Sequence, residues 1–105
     1  MITIIQGESY PIPVVLQKGT KNLGPEDVAD VQICIAGIHQ KYAKGELTYD
    51  DTHQRWVFFP TQDDTLAAEP GITAMQVQIK YKDGQIRKIA GPYVSIQGSP
   101  CKEKV

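Results

Sequence analysis

A chain breaker arrives about every seven residues in this sequence, because nine glycines and seven prolines are spread through only 105 positions. Glycine loosens the backbone and proline removes a donor, so no stretch is left for a helix of three or four turns. Strands need only about four to eight residues between turn signals, and that is the spacing available. The chain is therefore expected to be mostly β. With 41% apolar and 22% charged residues it has the composition of an ordinary globular protein, and its length fits one domain. That domain is expected to span 1–98, followed by a polar tail at 99–105.

The punctuation separates readable segments. Residues 2–6 and 10–17 are β-rich runs broken at Gly7, and Pro11 and Pro13 mark the second as an edge strand, since each lacks a ladder donor. Residues 18–26 read as a polar loop, closing in a single helical turn at Pro25-Glu26-Asp27. Val31, Ile33 and Ile35 alternate with Gln32, Cys34 and Ala36, the pattern of a central strand. Between Gly37 and Gly45 lies a short strand of mixed polarity. Leu47 and Tyr49 open another, which forms a hairpin with Arg55–Phe59 through a turn at 50–54. Thr61-Gln-Asp-Asp64 has the form of a helix start, but Pro70-Gly71 limits the helix to a turn or two near 61–68.

Met75, Val77, Ile79 and Tyr81 alternate cleanly with polar residues, and Asp83-Gly84 is a favoured hairpin turn. A strict two-residue loop there would set Lys88 beside Ile79 and turn Ile89 outward. A bulge or a longer loop is therefore expected to reset the register. After Gly91-Pro92, residues 93–97 form a last strand with Val94 and Ile96 on one face. Seven or eight short strands spaced by about eight to twelve residues describe an all-β fold, an antiparallel sandwich or small barrel.

Eleven basic and twelve acidic residues leave a formal charge of −1, which disfavours nucleic acid as a partner. The N-terminus has no basic region ahead of an apolar run, so neither a signal peptide nor a membrane partner is expected, and synthesis is assigned to a cytosol. Cys34 and Cys101 are too far apart for a metal or redox spacing and are read as free thiols.

Few residues invite a chemical reading. Asp50-Asp51-Thr52-His53 resembles part of a metal or acid–base set, yet these residue types are what a hairpin turn uses. Asp63-Asp64 reads as the charged start of a helix rather than a catalytic pair. Cys34 with His39 or His53 would make a nucleophile and base, but a thiol in mid-strand lacks the electropositive setting that activates it. Ser9, Ser95 and Ser99 lie in no nucleophile elbow, and the glycines form no phosphate or dinucleotide loop. No catalytic residue, cofactor or metal ligand is expected.

Two groups remain as candidates for partner binding. Lys80, Lys82 and Arg87 form a possible basic strip on one hairpin. Trp56, Val57, Phe58 and Phe59 place apolar side chains on both faces of one strand, so something must cover the second face. That cover is either the N-terminal strand or segment 61–70, or else a partner subunit, since aromatic clusters serve as interface anchors.

The order of these signals resembles a known family. Thr3 to Glu8, the Ile12 to Leu16 strand, Leu23-Gly-Pro-Glu-Asp-Val-Ala-Asp-Val-Gln-Ile33, Lys44-Gly-Glu-Leu-Thr-Tyr-Asp50, Trp56 through Thr65, Pro70-Gly71 and Asp83-Gly84 together are similar to small Ig-like tail and baseplate modules of phages of Gram-positive bacteria. Among these stands the N-terminal domain of the phage upper baseplate protein family. The resemblance implies an Ig-like β-sandwich in a virion structural protein of a phage or prophage tail, assembled in the bacterial cytoplasm. Its partners would be other phage structural proteins, or copies of itself. The chain stops just after the matching module, as a stand-alone tail-region protein would. The rival reading is an independent module that binds a carbohydrate or a host protein.

Overall fold

The computed structural model describes residues 2–101, so the end of the expected tail, 102–105, lies outside the described residues. In chain order the strands are β1 (Ile2–Ile5), β2 (Ile12–Val14), β3 (Gln17–Lys18), β4 (Lys21–Asn22) and β5 (Val28–Ile35). They continue as β6 (Ile38–Lys41), β7 (Thr48–Asp50) and β8 (Arg55–Phe58), then helix α1 (Gln62–Ala67), β9 (Gly71–Tyr81) and β10 (Ile86–Gln97). The chain is all-β.

Five strands form one sheet in the order β1-β10-β9-β5-β6, curled into a half-barrel. A three-stranded sheet, β2-β8-β7, and the small β3-β4 ladder complete the fold. Alternation decides what each strand buries: Val31, Ile33 and Ile35 of β5 and Met75, Val77 and Ile79 of β9 are sealed from solvent. Trp56 and Phe58 of β8 join them in one continuous core with Val94 and Ile96 of β10. The eleven residues of β9 span about 36 Å at 3.3 Å each, which accounts for much of the molecule's 46 Å long axis.

Four expectations need correction. The large sheet is mixed rather than antiparallel, because β1 runs parallel to β10, with Ile4 opposite Ile96. The chain leaves β1 through Gly7, at φ +91°, and crosses to the other sheet, so β1 finds its partner at the far end of the sequence. Ten strands are seen among the described residues instead of seven or eight. The loop at 18–26 contains all but Gln17 of a miniature hairpin, in which Gln17 pairs with Asn22 and Lys18 with Lys21. Finally, the strand after Gly37 stops at Lys41 and gives way to a 3-10 turn at Tyr42–Lys44.

The register of the β9–β10 hairpin is reset as expected. Gln85 O accepts from Tyr81 N–H at 2.8 Å, which leaves a three-residue loop in place of two, and Ile89 then lies opposite Val77 on the core side. A second shift falls between Ala90 and Tyr93, where Gly91-Pro92 bulges opposite Met75. Residues 86–97 therefore form one bulged strand. Bulge and glycine belong together, because a Cβ on Gly91 would come within 2.9 Å of Met75 Sδ. The helix start is also as read: the Thr61 hydroxyl accepts from Asp64 N–H and the Asp64 carboxylate accepts from Thr61 N–H.

Candidate functional site

The two main sheets meet along two rims, and the rims are built differently. On one rim Gln40 of β6, a polar residue only 6% exposed, takes the place of a strand. Its Nε2 donates to Phe59 O at 2.5 Å and its Oε1 accepts from Phe59 N–H at 2.9 Å. One side chain thus satisfies both backbone groups where β8 ends, as a neighbouring strand would. Beside it Lys41 O accepts from Glu46 N–H at 3.1 Å. This rim is closed.

On the other rim β1 and β2 face each other, and no strand pairing joins them. Gln6 N–H donates to Gln97 O at 2.9 Å, so even-numbered residues of β1 turn their backbone groups toward β10 while Thr3 and Ile5 turn theirs to the free side. Glu8 occupies those of Ile5: its N–H donates to Ile5 O at 3.0 Å and its carboxylate accepts from Ile5 N–H at 3.4 Å. Among the described residues nothing takes those of Thr3. Across the gap, Ile12 and Val14 face Phe58 and Trp56 in the β2–β8 ladder. Pro13 and, at the same parity, Pro11 therefore point their carbonyls outward, where a missing N–H costs nothing. The proline edge read from the sequence is real.

Between these edges lies a groove of about 410 Å³. Buried Ile4, Ile12 and Pro60 form its floor, and Tyr10, 77% exposed, stands at its wall. The turn joining β1 to β2 is anchored to α1 by the sealed hydroxyl of Thr65, which accepts from Gly7 N–H at 3.0 Å and donates to Glu8 O at 2.7 Å. Single apolar side chains also stand on the outer face of the large sheet, among Thr3, Ser95 and Gln97. Ile5, Tyr93 and Ile72 point outward there, by their pairing with Gln97, Ala74 and Ser95, and all three are exposed.

The structure separates the sequence-predicted residues. Trp56 and Phe58 are core, so they cannot anchor a partner while the fold is intact. Trp56 Nε1 donates to Leu23 O at 3.0 Å, and Tyr42 and Tyr49 pack edge-on against its ring at 5.0 and 5.1 Å. Val57 faces outward between Pro13 and Thr48. It is half-buried there beside those cross-strand neighbours. Phe59, 44% exposed, lies just past the strand end. The basic strip does not form either. Lys80 pairs with Ile86 and Arg87 with Ile79, so Lys80 and Arg87 point to opposite faces, while Lys82 sits in the turn.

The chemical candidates resolve into structural roles. Asp50 takes His53 Nδ1 at 2.8 Å and Arg55 Nε at 3.3 Å, closing the β7–β8 turn. The His53 bond, ahead of smaller contributions from His53 N–H and Arg55, holds the Asp50 carboxyl below its usual range. Among the described residues no group of three acidic, cysteine or histidine side chains converges as metal ligands would. Cys34 Sγ lies 3.3 Å from His39 Nδ1 across the β5–β6 pair, but burial pushes the thiol pKa up, against a weaker opposing pull from Lys88. That is the reverse of nucleophile activation. Both cysteines are free, and no helix among the described residues is long and apolar enough to cross a membrane.

Sequence reasoning missed Thr3, Tyr10 and Gln40. Gln40 alone left a signal, as a polar residue on the same alternation as Ile38. No family model, curated protein or solved structure matches the chain.

Proposed function

We propose that this chain is a non-enzymatic Ig-like structural module of a phage or prophage tail or baseplate, acting through association with other structural proteins. The open rim carries the reading: an apolar groove and an exposed tyrosine lie beside a strand edge whose Thr3 backbone groups are unpaired among the described residues. Apolar surface of this kind marks interaction sites on small proteins. The resemblance of the sequence to tail and baseplate modules supports the phage setting.

The carbohydrate-binding alternative gains little from the geometry. Such sites present a row of exposed aromatic rings, whereas Tyr42 and Tyr49 are folded against buried Trp56, and the exposed Tyr10 and Tyr93 stand apart, one at the groove and one on the outer sheet face. The test is biochemical. Tail particles purified from an induced culture of the encoding bacterium should contain the chain at a fixed ratio to the major tail protein, as measured by quantitative mass spectrometry. Recovery only from the fraction free of particles overturns the assignment.

A further inference from the structure

We infer that the groove between β1 and β2 receives one extended, strand-forming segment of a partner protein that carries a basic residue. This deepens the association reading above and rests on it. Three observations select that occupant.

The first is the hydrogen-bonding inventory of the rim. Thr3 offers one N–H and one C=O on the free side of β1, and Pro11 and Pro13 offer carbonyls from β2. An extended backbone has donors and acceptors alternating on both sides, so it can exchange two bonds with Thr3 and donate to a proline carbonyl. A helix has its backbone groups consumed internally and offers nothing to this edge.

Size is the second. Nine residues line the groove, against about 20–30 on each side of a stable protein dimer. The groove by itself has the footprint of a single segment, whose alternate side chains would rest on Ile4, Ile12 and Pro60.

Charge is the third. Among the described residues Glu8 is the sole charged side chain lining the groove, and its carboxylate is engaged there only by the long contact to Ile5 N–H at 3.4 Å. A lysine or arginine on the incoming strand complements it. Prolines on β2 and the Glu8 turn on β1 shorten the usable edge, so the same features that admit one short strand oppose open-ended sheet growth.

The experiment is to pan a random-peptide display library against the full chain and to measure the enriched peptides by fluorescence anisotropy. Enriched sequences should alternate apolar and polar residues with a period of two and carry Lys or Arg. N-methylation of the alternate backbone nitrogens that face Thr3 should abolish binding, while methylation of the intervening ones, which reach only a proline carbonyl, should weaken it by about tenfold. Thr3→Pro removes one donor at a position where the edge tolerates proline, and should weaken binding by about tenfold. Glu8→Gln should weaken only those peptides that carry the basic residue. Thermal melts monitor folding, and Tyr10→Ser is the second probe if Thr3→Pro unfolds.

Absence of enrichment, peptides with helical periodicity, or affinity unchanged in both Thr3→Pro and Tyr10→Ser would overturn the inference. So would a dimer in sedimentation velocity that Thr3→Pro dissolves, since a second copy would then be the occupant. If the chain nonetheless co-purifies with tails, association stands and only the strand mode falls.

Discussion

The two rims of this fold solve one problem in opposite ways. Where β6 meets the end of β8, a buried glutamine imitates a strand and both backbone groups of Phe59 are satisfied. Where β1 meets β2, prolines withhold donors from one edge, a glutamate turn covers part of the other, and an apolar groove stays open. The contrast shows that an edge can be quieted without being closed. Closure needs a donor and an acceptor delivered together into a buried place, whereas quieting needs only the removal of donors.

Four measurements would break or sharpen that contrast. The largest effect belongs to the core beneath the closed rim. Trp56→Ala should cost about 3–5 kcal/mol, through the lost ring and its contacts with Tyr42 and Tyr49, while Phe59→Ser should cost under about 1 kcal/mol because only its backbone takes part in the seal. Urea denaturation reads both, and equal losses would remove the distinction between the seal and the side chain beside it.

Gln40→Leu comes next. It leaves the N–H and C=O of Phe59 without their partner, at a cost of about 2–3 kcal/mol, and amide exchange at Phe59 should accelerate. A neutral outcome would mean that water seals this rim as well as glutamine does. Thr65→Val probes the anchor of the open rim, where two backbone groups lose one hydroxyl. The expected loss is about 1–2 kcal/mol, with faster exchange at Gly7.

The smallest effect serves as a baseline at the β7–β8 turn. Because His53 and Arg55 hold the folded Asp50 carboxyl below its ordinary value of 3.8, its contribution to stability is complete above the unfolded pKa and is lost as pH falls through the folded one. Asp50→Asn should therefore lower stability slightly at neutral pH, where that contribution is complete, leave low pH unchanged, and so flatten the acid limb of the profile. A pronounced loss at neutral pH would show that this turn matters as much as either rim.

How much of this could be read in advance depended on whether the cause was local. The β9–β10 register was readable because the parity of Lys88 and Ile89 rules out a strict two-residue loop if the isoleucine is to be buried, leaving a bulge or a longer loop. The edge at β2 was readable from Pro11 and Pro13, and the capped helix from Thr61 and Asp64. The facing of β8 was not, since Trp56, Val57, Phe58 and Phe59 are apolar at both parities and only the opposite sheet decides. The parallel pairing of β1 with β10 leaves no local mark at all. The groove escaped for the same reason, being made where the edges of two different sheets meet.

That parallel pairing has a consequence for the order of events in the cell. Ile4 can meet Ile96 only after almost the whole chain has left the ribosome, and closing so long a loop is the costliest step in chain entropy that this fold requires. At synthesis rates of about 5–20 residues per second, β1 waits several seconds for its neighbour. During that interval the edge on which Thr3 is displayed has no template to hold it straight. The edge that borders the groove is thus the last part of the sheet to form.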